Sequence, residues 1–298
     1  MKYGIDYIDP WVHVFPGSNK IFSRHWLSTK LAKFLEPRAV KKASLITGVA
    51  EGYYQGVIDR NPHLKPTCVF GAMPYGGEAE DHLKVKELNL KPYLFKKNNK
   101  IQLVYAGAML PKAYKPLEAI FQSIDSNRSS FENIEFHFIG TGKLANDSQS
   151  YNIRQLDEKY GIWNKIVFEY PKRIPYLDVL VHLNSADGVF ILGSTEPHYT
   201  PSKSYQAVLS GKFILAVLHE QSTAVDVING SGSGMVLGFD GESGVVKLTE
   251  NFSSFFYNYS ERLKAFDTKN VNYSFFDRFS ARSVTEDLVK LLNLVCAN

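Results

Sequence analysis

Strand-like and helix-like hydrophobic patterns alternate along almost the whole chain. YGIDYID (3–9) reads as a strand, followed by a helix in which Leu27, Leu31, Phe34 and Leu35 recur at i, i+4, i+7 and i+8 and form one apolar face. ASLITGVA (43–50) reads as a second strand, EGYYQGVIDRN (51–61) as a helix, and TCVFGAMPYGG (67–77) as a strand running into a glycine-rich turn. ELNLKPYLFKKNNK (87–100) is polar and basic, with a proline and paired asparagines, which makes it the best linker in the sequence.

Beyond the linker the alternation sharpens. IQLVYAG (101–107), IEFHFIG (134–140), KIVFEY (165–170), GVFIL (188–192), KFILAV (212–217) and GMVLGF (234–239) are apolar runs of buried-strand type. Between them lie helical patterns. Pro116 opens one with Leu117, Ile120, Phe121 and Ile124 on one face, and Pro175 opens another with Tyr176, Val179, Leu180 and Leu183. SKSYQAVLSG (202–211) closes on Gly211, and Ser222 is placed to cap the helix STAVDVING. From about Phe279 an amphipathic helix carries Val284, Leu288, Leu291 and Leu292.

Strands separated by helix-length segments imply βαβ units and parallel sheets. Two such series divided by a linker predict an α/β protein with two Rossmann-like domains, 1–95 and 96–278, and a final helix, 279–298. In open sheets of this kind ligands bind beyond the carboxyl ends of the strands, so the strand-to-helix loops are where chemistry is expected.

Composition narrows the function classes. The chain has 298 residues, 44% hydrophobic and 21% charged, which argues against disorder. A net charge of +4, without a clustered basic stripe, argues against nucleic acid as a partner. The densest basic run, Lys91, Lys96, Lys97 and Lys100, reads first as a solvated linker and second as a contact for an anionic membrane surface. Cys68 and Cys296 are far apart and no Cys/His cluster exists, so neither a disulfide framework nor a metal site is expected. No apolar stretch is long enough to cross a membrane, and MKYGIDYIDPW lacks the layout of a signal peptide. The expected location is the cytoplasm.

Four loops carry candidate chemistry. In YAGAMLPKAYKP, Gly107 after a strand lets the backbone approach a phosphate, and Lys112 or Lys115 can add charge; a plain turn with surface lysines explains it equally. In FIGTGK, Gly140 and Gly142 begin a dinucleotide fingerprint that no third glycine completes, and Leu144 after Lys143 excludes a Walker A loop. In YPKRIPYLDVL, Arg173 lies between two prolines that stiffen its backbone, as suits a guanidinium that binds phosphate or carboxylate; a surface arginine on a stiffened turn explains it equally. STEPHYTPSKSYQAVLSGK (194–212) is the densest: Glu196, His198, Tyr199 and Thr200 lead into Pro-Ser-Lys, with Ser202 as helix cap and Lys203 beside it. Capping accounts for Ser202 alone, so the cluster as a whole reads as a diphosphate cradle.

PSKSYQAVLSGKFILA (201–216) resembles the Pro-Ser-Lys segment of nucleotide-sugar glycosyltransferases with the GT-B fold, in the large retaining family that includes sucrose synthase-like and bacterial polysaccharide enzymes. The likeness covers residues 100–220 well and 1–95 more loosely, as the second half of an acceptor domain, so the N-terminal domain is expected to be incomplete. It implies that Gly107, Ser202 and Lys203 lie at the diphosphate of a nucleotide-sugar donor and that Glu196 lies nearest the donor sugar. It also implies that the final helix returns to the N-terminal domain. The acceptor would be a glycan, lipid-linked or small-molecule hydroxyl in the cleft, where Asp9 and His13 of DPWVHVFPG are candidates; a Pro/Gly turn with a tryptophan anchor is the plainer reading of His13. No cofactor or metal is required by this chemistry.

Three departures keep other readings open. Gln206 stands where the family has a ribose-binding glutamate. Ala108 and Met109 occupy the region of an expected arginine. The N-terminal half is short, which would leave sheet edges that favour pairing or homo-oligomers. A non-catalytic nucleotide-sugar-binding protein and a nucleotide-sugar epimerase are the alternatives.

Overall fold

The computed structural model describes residues 1–12 and 17–297. The described chain runs β1 (Gly4–Tyr7), α1 (Arg24–Val40), β2 (Leu45–Gly48), α2 (Glu51–Arg60) and β3 (Val69–Ala72). It continues with α3 (Ala79–Glu87), β4 (Ile101–Ala106), α4 (Tyr114–Ser126), β5 (Ile134–Ile139), α5 (Arg154–Lys159), β6 (Val167–Tyr170), α6 (Tyr176–Ser185) and β7 (Gly188–Leu192). Then follow α7 (Lys203–Leu209), β8 (Phe213–His219), α8 (Thr223–Ser231), β9 (Gly234–Phe239), α9 (Gly241–Ala265), α10 (Tyr273–Phe276) and α11 (Ala281–Ala297). The chain divides into two compact units, Met1–Gly76 with Ala281–Asn298, and Gly77–Ser280.

The first unit is a parallel three-stranded sheet in the order β1-β2-β3. Ile46 and Val49 pack with Tyr53, Tyr54 and Val57 of α2. On the other side α11 lies against β2 and β3 so closely that a Cβ on Gly71 would overlap Leu291. The predicted helix at 24–40 forms, but its orientation reverses the prediction. Ala32, Glu36 and Val40 are buried, whereas Leu27, Leu31, Phe34 and Leu35 are 37–59% exposed. On this inward face Glu36 accepts from Nε and Nη2 of Arg60 at 2.7 Å and from the side-chain amide of Asn61 at 3.1 Å, so its charge is matched where it is buried.

The second unit is a six-stranded, all-parallel sheet in the order β6-β5-β4-β7-β8-β9. Alternate residues feed two cores, as period two requires. Tyr105, Phe136, Phe190 and Leu215 face α4 and α9. Val104, Ile139, Ile191 and Ala216 face α6, α7 and α8.

The segment 87–100 is not a free linker, and the units divide at Gly76–Gly77 instead of at residue 95. Phe95 stacks on His137 at 4.1 Å, and the amides of Tyr93 and Leu94 donate to His182 Nε2 at 3.2 Å. Two of the four lysines in its basic run are paired: Lys97 with Asp187, and Lys100, which lies 3.7 Å from Glu135. Helices α3 and α9 escaped the sequence reading because their polar stretches hide short apolar faces, Val85 in one and Leu248, Phe252 and Phe256 in the other. Ser222 does not cap α8; its hydroxyl donates to the Tyr199 carbonyl at 2.7 Å.

Asp157 of α5 is fully buried, and neither carboxyl oxygen has a hydrogen-bond partner among the described residues. Burial, followed by the charges of Glu169 and Glu158, pushes its pKa up to about 9. The unfolded chain releases this proton near pH 4 and the folded chain only near 9, so Asp157 costs stability increasingly as pH rises between those values. Asp157→Asn is expected to raise the melting temperature by several degrees at pH 8, with the gain shrinking toward pH 4, as read by calorimetric scans across that range.

Candidate functional site

Strand order in the second unit reverses between β4 and β7. The helix after β4 packs on one face of the sheet and the helix after β7 on the other, through Leu117 and Phe121 in α4 and Tyr205 and Val208 in α7. Their loops therefore part at adjacent carboxyl ends, where open sheets of this type hold ligands.

From the β4 side, Gly107 follows the strand with φ +135°, a conformation that L side chains rarely adopt, and its amide donates to Ile139 O at 2.8 Å. A short 3₁₀ turn, Pro111–Ala113, then carries Lys112. From the β7 side, Thr195 N donates to Lys112 O at 3.2 Å, and Glu196 Oε1 accepts from Lys112 Nζ at 3.0 Å. The two loops are thus tied by backbone and by a half-buried ion pair.

Lys203, the first residue of α7, sends its ammonium across this junction. Nζ lies 3.6 Å from the centroid of the Tyr105 ring, and a Cβ on Gly107 would stand only 3.2 Å from it. Glycine at 107 is what leaves room for the lysine. Among the described residues no carboxylate pairs with Lys203, and burial lowers its pKa from 10.5 to about 7, a loss that the aromatic face offsets in part.

Gly107, Lys112, Glu196 and Lys203 are thereby brought together, with His198 and Tyr199 in the same β7 loop. That loop is fixed from behind by Thr200, whose Oγ1 lies 2.7 Å from that of Thr223, and by the Ser222–Tyr199 bond. Lys115 is not part of the cluster: it lies on the outer face of α4 and pairs with Glu242 of α9 at 2.6 Å. Ser202 is exposed in helical backbone conformation and makes no cap bond, so the predicted capping role is corrected. Gln206 points to α3, its Oε1 2.9 Å from His82 Nε2, while His82 Nδ1 lies 3.2 Å from Asn184 Oδ1.

Gly140 and Arg173 form a second pair of loops, beyond β5 and β6. Gly140 has φ +75°, and a Cβ there would lie 3.7 Å from Arg173 Cα. The Arg173 side chain is exposed, with no carboxylate partner among the described residues. Glu169 Oε1 accepts from Thr141 Oγ1 at 2.7 Å and Asn152 N at 2.9 Å, and a Cβ on Gly142 would stand 2.7 Å from Pro171 O. The glycines of FIGTGK thus serve a tightly packed loop. Asp9 is exposed and belongs to the first unit, and His13 lies outside the described residues. Tyr105 and His82 went unrecognised in the sequence, because one reads as a strand core residue and the other lies 124 positions from its partner. Among the described residues no group of three or more His, Cys, Asp or Glu could hold a metal ion, and no helix is long and apolar enough to cross a membrane.

No protein-family model and no curated protein matches the sequence. Solved structures do match. Anabaena HepE, solved in complex with UDP-glucose, is 16% identical with a TM-score of 0.63, over 97% of this chain and 71% of that one. The UDP-forming α,α-trehalose-phosphate synthase of Burkholderia xenovorans, solved in complex with glucose-6-phosphate, is 11% identical with a TM-score of 0.65, over 97% and 68%. A glycosyltransferase from Rickettsia africae is 12% identical with a TM-score of 0.60, over 89% and 67%. The chain spans between 48% and 71% of the length of such structures. At these identities the likeness establishes the fold: two Rossmann-like α/β units of the GT-B class.

The low pKa of Lys203 has a measurable sign. Between about pH 7 and 10.5 the unfolded chain binds a proton that the folded chain has released, so this lysine makes stability rise with pH over that window. Lys203→Met is expected to stabilise the protein at pH 7 and to lose its advantage by pH 10, as measured by urea unfolding at both ends.

Proposed function

We propose that the chain is a glycosyltransferase whose second unit holds a nucleoside-diphosphate sugar at the β4/β7 junction. The observation that carries the reading is the Lys203 ammonium, half-buried and, among the described residues, without a carboxylate partner, packed against Gly107, which carries no Cβ. A half-buried cation of this kind is matched by a diphosphate, and Gly107 lets that group approach the backbone. Lys112 and Glu196 sit at the adjoining loop, where Glu196 can accept hydrogen bonds from sugar hydroxyls and Lys112 can add charge to the diphosphate. In the transfer, the bond from the anomeric carbon to the diphosphate oxygen breaks with its electron pair staying on the diphosphate. The acceptor oxygen forms the new bond and its proton is released. Lys203 favours this step by stabilising negative charge that grows on the leaving group.

The printed descriptions of the structural neighbours support the donor class, since HepE is solved with UDP-glucose. The finer reading rests on the Pro-Ser-Lys resemblance: transfer with retention to a glycan, lipid-linked or small-molecule hydroxyl, in cytoplasmic polysaccharide synthesis. A second reading, nucleotide-sugar binding without transfer, is favoured by Gln206, whose amide is already engaged by His82.

Titration calorimetry with UDP, GDP and ADP decides the shared part. One of them is expected to bind with proton uptake above pH 7, because the anion favours charged Lys203, and Lys203→Met should remove both the uptake and at least tenfold of the affinity. Failure of all three to bind folded protein would discard both readings. Incubation with the matching nucleotide sugar separates them: transferase action releases the nucleoside diphosphate, and Glu196→Gln should slow that release by about a hundredfold while leaving nucleotide affinity within tenfold.

A further inference from the structure

The exposed side of α1 is chemically one-sided in two respects. It lies opposite the buried Ala32, Glu36 and Val40 and presents Leu27, Leu31, Phe34 and Leu35 to solvent. The turn just before it adds Ile21 at 69% and Phe22 at 80% exposure, with Phe22 5.6 Å from the Trp26 ring. Large apolar side chains carry roughly 150–250 Å² each when aromatic and somewhat less when aliphatic. These six together reach the several hundred square ångströms at which an exposed patch on a monomer marks an interaction site.

Along the segment that carries this patch the charge has one sign. Between Gly17 and Ala50 the sequence carries seven lysines and arginines and one carboxylate, Glu36. That carboxylate is buried and already bound to Arg60, so it neutralises nothing on the outer face. Arg24, Lys30 and Arg38 project on the same side as the apolar residues, and Arg38 rests over the Phe34 ring at 3.9 Å. Two such faces brought together would repel, which disfavours a second copy as the occupant. A surface with anionic headgroups above hydrocarbon satisfies both features: the aliphatic and aromatic side chains enter the boundary layer while lysine and arginine reach back to the phosphates.

We propose that the outer face of α1 docks on an anionic lipid bilayer, seating the first unit at a membrane surface. This inference is independent of the donor-site reading, since nothing in it involves the second unit. The test is flotation of the full chain with phosphatidylcholine vesicles with and without phosphatidylglycerol. Binding is expected only to the anionic vesicles and is expected to fall steeply with added salt. Leu31→Glu with Phe34→Glu should abolish it, and Arg24→Gln with Lys30→Gln should weaken it roughly thirtyfold, with far-UV circular dichroism unchanged, as all four side chains are exposed. Absence of binding, equal binding to neutral vesicles, or concentration-dependent dimers in light scattering that Leu31→Glu dissolves in place of lipid binding would each overturn the proposal. The salt dependence of the unaltered chain remains decisive if a variant misfolds.

Discussion

The second unit depends on one topological constraint: six parallel strands whose order reverses once. Parallel strands need a crossover helix after each of them, and right-handed crossovers send those helices to opposite faces on either side of the reversal. At β4 and β7 the two following loops must therefore diverge, and no packing of core side chains can close the gap between them. Phe190 and Leu192 below one face and Val189 and Ile191 below the other make that floor rigid. The groups above it are held by local means: a glycine at φ +135°, an ion pair across the gap, and hydroxyl bonds that fasten the β7 loop to the start of α8.

Much of this was legible in the sequence. Continuous apolar runs with helix-length spacing can hardly be anything but buried parallel strands, and the polar loop 194–203 sits at the carboxyl end of one of them. Local geometry was less legible. Lys112 and Lys115 look equivalent in the sequence, and only the 3₁₀ turn that precedes α4 points one inward and leaves the other to Glu242. Ser202 looks like a cap, yet the Ser204 amide already bonds to Pro201 O at 3.1 Å, which starts the turn one residue earlier and leaves the Ser202 side chain without a cap bond. Gln206 invites a ligand role until His82 arrives from a helix that polar composition had concealed.

The first unit shows the opposite error. Its α1 periodicity announces an inward apolar face, and the spacing is correct. On the inward face one buried carboxylate, Glu36, is held by its guanidinium partner, and four partly exposed apolar side chains stay in water; removing Arg60 in this orientation would leave a buried charge uncompensated. Hydrophobic periodicity identifies a helix, but it does not by itself say which face the fold buries.

The first unit is also discontinuous, and this has a consequence for how the protein is made. Its sheet is translated before α11, which covers β2 and β3 and whose Leu291 fits the space left by Gly71, and the whole of Gly77–Ser280 comes between them. The Lys2 ammonium likewise waits for the Val295 carbonyl, 2.8 Å away in the finished fold. The second unit is contiguous and can close its core on the ribosome, while the three earlier strands stay half-dressed through its entire synthesis. Of the two units, the one whose strands come earlier thus closes last, and those uncovered strands are where a nascent chain is most exposed to aggregation.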